Sequence, residues 1–223
     1  MVGLTVDGQR VDVVVDRQVN VGFSGRDEEA VRSHVEELLA RDALPEEPDS
    51  VPTTYEVAPA TLLVDPGEIR VVGADTSGEA EFGLLITGRD TFVVAASDQT
   101  DRVLEGRSVQ KAKQVAPNVI SARAWRLDDV RDHWDRIRLR AWTTVDGERV
   151  RYQDATLSSI LDPEALVDLI RDRYGEPMAG TVVLSGTVTT IGESVHGGDR
   201  FEVELHDPVR ERKLAVGYDV TPM

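Results

Sequence analysis

Short apolar runs separated by turn dipeptides account for most of the chain. Val11, Val13 and Val15 stand two apart after Asp7-Gly8, the pattern of a hairpin. Residues 61–64 and 69–72 flank a turn at Pro66-Gly67, and residues 82–86 connect to 91–96 through Gly88-Arg89-Asp90. Residues 138–145 and 149–152 alternate around Asp146-Gly147. Residues 181–185, 201–205 and 214–218 complete the predicted strands.

Two segments carry helical spacing instead. From about Asp27 to Ala40, the residues Ala30, Val31, Val35, Leu38 and Leu39 form one apolar stripe. A second helix starts at Asp162-Pro163, a cap followed by proline at the first helical position, and runs to about Arg173 before Gly175. Its Leu166, Leu169 and Ile170 are expected to face inward. Many strands, few helices and no regular βαβ alternation predict a mostly-β, α+β fold. Residues 44–52, rich in proline and acid, read as an exposed loop.

The chain has 223 residues, enough for one core of ordinary size without disulfides. It has no cysteine, which excludes a disulfide framework, a thiolate zinc site and a cysteine nucleophile. With 41 acidic against 25 basic residues the formal net charge is -16. Clustered Lys and Arg for phosphate are lacking, so neither nucleic acid nor an anionic membrane is an expected partner. No apolar run approaches the ~20 residues of a membrane span. The Met1 end also lacks the basic and apolar segments of a signal peptide, so a cytoplasmic location is expected. Only Lys111, Lys113 and Lys213 are lysines among the basic residues. That bias reads as a halophilic protein in a high-salt cytoplasm, with GC-rich coding bias the alternative.

The familiar nucleophile-elbow, phosphate-loop, zinc-helix and dinucleotide fingerprints are all missing from the sequence. His34, His133, His196 and His206 have no ligand spacing among themselves, and His196 and His206 read as structural. Trp125, Trp134 and Trp142 read as core or interface anchors, and residues 128–136 as a solvated, charge-mixed face. The chemistry therefore falls to carboxylates. Glu79 and Glu81 stand two apart at the head of an apolar strand, so both leave the same face. Asp98 follows the next apolar run, where a neighbouring strand would bring it to the same end. Three carboxylates without sulfur suit Mg²⁺, Mn²⁺ or Ca²⁺. The E-x-E spacing alone also fits the solvated face of an edge strand in an acidic protein.

Four blocks in order resemble the fumarylacetoacetate hydrolase superfamily. Residues 78–86, GEAEFGLLI, are similar to its metal-binding E-x-E strand, and 98–105, DQTDRVLE, to its D-x-[ST]-x-R-D-x-Q segment. Residues 180–187 with Gly192 resemble its G-D-V-I-x-T-G-T-P-x-G-V-G segment, and 198–205 its late G-D-x-V-E-V-E strand. The resemblance spans about residues 21–220. It implies a mixed β-sandwich roll with a few short helices in one catalytic domain over 1–223. Within it, 1–75 would supply N-terminal strands and a lid helix, and 76–223 the β-roll core.

The resemblance also implies roles. Glu79, Glu81 and Asp98 would bind Mg²⁺ or Mn²⁺, with Ca²⁺ possible. Arg102, Thr187 and Glu105 would line the substrate pocket, Glu105 standing where the family has Gln. His34 and Glu37 match the H-x-x-E of the family's lid helix, whose pair activates a water. Lys113, with Lys111 in reserve, corresponds to a substrate-binding lysine. The expected substrate is a small dicarbonyl or 2-oxo acid such as an acylpyruvate, and the expected reaction hydrolytic C–C cleavage. Decarboxylation, isomerisation or hydration by the same chemistry, or a non-catalytic metabolite-binding protein, are the alternatives. A homodimer is expected by analogy. A purely structural acidic β-domain is the reading if no metal binds.

Overall fold

The computed structural model describes residues 1–41, 44–192 and 197–223. The strands of the N-terminal part are β1 (Val2–Val6), β2 (Gln9–Val13), β3 (Arg17–Gly22), β4 (Thr53–Val57), β5 (Leu62–Val64), β6 (Glu68–Val71) and β7 (Thr76–Ser77). Then come β8 (Ala80–Ile86), β9 (Thr91–Asp98), β10 (Thr100–Asp101), β11 (Asn118–Ile120) and β12 (Arg123–Arg126). The last are β13 (Arg138–Val145), β14 (Glu148–Thr156), β15 (Thr181–Leu184), β16 (Arg200–Asp207) and β17 (Arg212–Pro222). Helices are α1 (Glu28–Ala40), α2 (Arg102–Glu105), α3 (Val109–Val115) and α4 (Pro163–Tyr174).

The strands form two main sheets. Ten strands run in the order β2-β1-β12-β9-β8-β15-β3-β4, with β11 and β5 branching from β9, and five run β14-β13-β16-β17-β6. A third pairing, β7 with β10, is two strands wide. The Asp-Gly turns behave as their chemistry requires. Asp7 and Gly8 (φ 51° and 78°), like Asp146 and Gly147 (φ 52° and 79°), take the two left-handed positions of a type I′ hairpin. The Pro66-Gly67 turn does something else. Its flanking strands part, β5 running parallel to β11 in the large sheet and β6 parallel to β17 in the small one.

Strands β8 and β9 are apolar on successive residues because both of their faces are covered. Phe82, Leu84, Val93 and Ala95 join the core that includes Leu139, Val203 and Leu205 of the five-stranded sheet. Leu85, Phe92, Val94 and Ala96 point the other way, into a second core with Leu4, Ile120 and Leu184. Trp134 meets Phe82 edge-on at 4.8 Å and Trp125 is also buried. Trp142 instead lies half-buried on the outer side of β13, under the Arg149 guanidinium at 4.0 Å. The charged residues Asp128, Asp129, Arg131, Asp132, Asp135 and Arg136 form a charge-mixed face around the buried Val130 and Trp134, with Asp128–Arg131, Arg131–Glu164, Arg210–Asp129 and Arg26–Asp135 ion pairs.

Both long helices start at the expected caps, Asp27 accepting from the Ala30 N–H and Asp162 from that of Ala165. Their packing differs. Leu166 and Ile170 of α4 are buried, whereas only Val35 of the α1 stripe is. Val31, Leu38 and Leu39 are half-buried and Ala30 is exposed, so α1 lies at the surface. Residues 44–52 carry neither helix nor strand. Among the described residues no helix is long and apolar enough to cross a membrane.

Candidate metal centre

Glu79 stands immediately before β8 and faces the last residue of β9. Its N–H donates to the Asp98 carbonyl at 3.0 Å, and the Asp98 N–H donates back at 3.1 Å. The ladder continues with Ala80 opposite Ser97 and Glu81 opposite Ala96. Residues directly opposite share a face, as do residues two apart on one strand. Register alone therefore puts Glu79, Glu81 and Asp98 on one side, and one carboxylate oxygen from each lies within 4.8 Å of the others. A slip of one residue would send Asp98 to the opposite face.

Glu81 and Asp98 are fully buried. Glu81 Oε2 accepts from the Gly186 N–H at 2.9 Å. Gly186 has φ +82°, and a Cβ there would collide with Ser24 Oγ and the Val21 carbonyl, so no side chain fits. Lys113 of α3, itself buried, places Nζ 2.5 Å from Asp98 Oδ2 and 3.2 Å from Glu79 Oε2. Lys111, two residues earlier on α3, is exposed. Arg102, at the start of α2, donates through Nη1 to Glu79 Oε1 at 3.0 Å and Glu105 Oε2 at 2.8 Å, and through Nε to Ser77 Oγ at 2.7 Å.

The charges split the three carboxylates. Burial would raise Glu79, but Lys113 and Arg102 outweigh it and hold the group at about 2. Burial pushes Glu81 well above the usual carboxylate range, and the Asp98 and Glu79 charges add to the rise. Asp98 is raised by burial against the pull of Lys113. Burial would lower Lys113, yet Asp98, Glu79, Glu81 and Glu105 together raise it well above normal. Two carboxylate oxygens, Glu81 Oε1 and Asp98 Oδ1, are buried without a hydrogen bond of good geometry, although the Asn20 amide also favours ionised Asp98. Buried acceptors left so are costly. A hard divalent cation would satisfy both, and an all-oxygen donor set is what such an ion takes.

Other expected residues fall elsewhere. The Thr187 hydroxyl is engaged in the scaffold, donating to the Ala80 carbonyl at 2.8 Å and accepting from Gln153 Nε2 at 2.7 Å. His34 and Glu37 are exposed on α1, and among the described residues neither bonds to the other or to the three carboxylates. His133 Nε2 lies 3.0 Å from Asp207 Oδ1, and His196 lies outside the described residues.

Sequence reasoning missed several neighbours. The Tyr55 ring lies with its centroid 6.0 Å from Lys113 Nζ, and burial raises its hydroxyl pKa against the pull of Lys113. Gln18, Asn20 and Asn118 form a buried amide chain beside Asp98, with Asn20 Nδ2 donating to Asn118 Oδ1 at 3.0 Å. Two amides alternating with Val19 and Val21 on one strand were the available signal. Gln153 ties β14 to Ala80, whose N–H donates to Gln153 Oε1 at 3.0 Å.

Solved structures share this architecture. Yeast ynq8, described as a fumarylacetoacetate hydrolase family protein, is 16% identical with a TM-score of 0.63, covering 93% of this chain and 94% of its own. 2-Keto-3-deoxy-D-arabinonate dehydratase, complexed with magnesium and 2,5-dioxopentanoate, is 14% identical with a TM-score of 0.65, covering 94% and 73%. 4-Oxalocrotonate decarboxylase from Pseudomonas putida G7, complexed with calcium and acetate, is 15% identical with a TM-score of 0.58, covering 95% and 78%. The fold is thus of the fumarylacetoacetate hydrolase type, as the sequence blocks implied. Within it the chain belongs to the family described as protein of unknown function DUF2848, whose model matches residues 21–218. No curated protein matches the chain in sequence.

Proposed function

We propose that the chain is a divalent-metal-dependent enzyme acting on a small 2-oxo acid or related dicarbonyl. The observation that carries this reading is the pair of buried carboxylate oxygens, Glu81 Oε1 and Asp98 Oδ1, left without a well-aligned hydrogen bond within the three-carboxylate cluster. Glu79, Glu81 and Asp98 would hold Mg²⁺ or Mn²⁺, and Ca²⁺ fits the same donors. A cation there would supply Lewis-acid stabilisation of the negative charge that develops on a 2-oxo group, worth several kcal/mol. Neighbours of the same fold support it, one a dehydratase complexed with magnesium and one a decarboxylase complexed with calcium. Lys113 keeps Glu79 and Asp98 oriented, and Arg102 presents a cation at the rim.

Hydrolytic C–C cleavage needs a base to activate water. His34 and Glu37 are exposed and, among the described residues, form no hydrogen bond or ion pair with the cluster, which favours decarboxylation or tautomerisation, reactions that need no activated water. Hydrolysis is the second reading, supported by the three-residue spacing of His34 and Glu37 on α1. The test is a screen of 2-oxo acids and acylpyruvates after chelation and return of Mg²⁺ or Mn²⁺. Turnover that depends on added metal and disappears in Glu81→Gln is expected. A wild type that binds neither metal overturns the reading. Survival of turnover in His34→Ala selects the non-hydrolytic outcome, and its loss with metal affinity intact selects hydrolysis.

A further inference from the structure

Glu105 is the one carboxylate of the cluster that does not belong to the three candidate ligands, yet it shares a guanidinium nitrogen with one of them. Arg102 Nη1 is divided between Glu79 Oε1 at 3.0 Å and Glu105 Oε2 at 2.8 Å, and its Nε is spent on Ser77 Oγ. The remaining cation, Lys113, is likewise divided between Glu79 and Asp98. The ionised cluster thus sets Glu79, Glu81, Asp98 and Glu105 against Arg102 and Lys113, a formal deficit of two positive charges. One divalent cation cancels that deficit and leaves nothing over. With glutamine at 105 the loaded site would carry a net positive charge, and the Arg102 Nη1 donor now held by Glu105 would face a neutral partner.

Resting on the metal-dependent reading, we propose that Glu105 sets substrate charge: the pocket takes 2-oxo acids bearing a single carboxylate and rejects those with a second, remote carboxylate. The first carboxylate would bind with the 2-oxo group at the cation, whereas a second, remote carboxylate would meet the Glu105 charge beside Arg102. Arg102 and Glu105 are 23% and 24% exposed, so solvent screens the repulsion in part, and the discrimination is about tenfold.

The test is calorimetric titration of the Mn²⁺-loaded protein with 2-oxopentanoate and with 2-oxoglutarate, which has the same five-carbon chain and a second carboxylate. Wild type is expected to bind 2-oxopentanoate about tenfold more tightly, and Glu105→Gln to bring the two within about twofold or reverse their order. Glu105→Lys extends the shift toward 2-oxoglutarate and guards against a folding artefact in a single variant. Equal or tighter binding of 2-oxoglutarate by wild type, or an affinity ratio unchanged in Glu105→Gln, overturns the proposal while leaving the metal site standing. If Mn²⁺ itself fails to bind, the metal reading and this one fall together.

Discussion

Glu79 and Asp98 exchange both main-chain hydrogen bonds at the point where β8 and β9 begin and end, so their side chains leave the sheet together. This fixes the cluster without any help from loop conformation. Glu81 and Asp98 belong to two strands buried along almost their whole length, and the cluster's geometry inherits their rigidity. The consequences can be measured.

Mn²⁺ should bind wild type at one site per chain, read by calorimetry. Glu81→Gln and Asp98→Asn remove direct donors and should each weaken binding by more than the 10–100-fold typical of losing an outer-shell partner. Gln and Asn retain the shape of the side chain, so circular dichroism of both variants should match wild type.

Lys113→Met should be costly in the absence of metal. It leaves Glu79 and Asp98 facing each other with one counter-charge gone, and breaking a buried pair costs about 3–5 kcal/mol. Urea unfolding measures it, and added Mn²⁺ should recover part of the loss. Lys111→Met, on the exposed side of α3, should stay within about 0.5 kcal/mol of wild type.

Asp207 should shape the acid limb of stability. Burial would raise its pKa, but His133, the Arg210 and Val209 N–H groups and Arg212 outweigh that and lower it. A depressed folded pKa favours the ionised native state, so this contribution is fully present above the unfolded value of about 3.9. It is lost as pH falls through the lower folded value. Unfolding free energy measured from pH 6 to pH 3 should therefore fall less steeply in Asp207→Asn than in wild type, from a lower plateau.

Gln153→Leu should destabilise although it adds apolar volume. The Ala80 N–H and the Val188 carbonyl both lose their partner, at about 1–3 kcal/mol for each buried group left unbonded. Thermal unfolding gives the cost.

Much of this was legible in the sequence where local chemistry dominates. The Asp-Gly hairpins, the Asp27 and Asp162 caps and the Glu79–Glu81 face follow from rules that act over two to four residues. The position of Asp98 opposite Glu79 was legible too, because a short connection at Gly88-Arg89-Asp90 leaves the hairpin register little freedom. The turn at Pro66-Gly67 shows the limit. Its residues announce a reversal, but only long-range pairing to β11 and β17 reveals that the two strands enter different sheets. Strands β3 and β4 were missed because Gln18, Asn20 and Thr54 interrupt the apolar signal, and those polar groups are buried by distant partners. Tyr55 was invisible for the same reason, since its place over Lys113 depends on packing between β4 and α3. The helix carrying His34 was read correctly as a helix, yet nothing in its spacing says how deeply it docks.

Lys113 ties Glu79 to Asp98 with no ion present. Because its ammonium already bridges Glu79 and Asp98, the emptied pocket has no reason to spring apart, and stripping the protein with a chelator should leave a folded receptacle ready for reloading. A receptacle of this kind would take up an ion again without passing through an unfolded form.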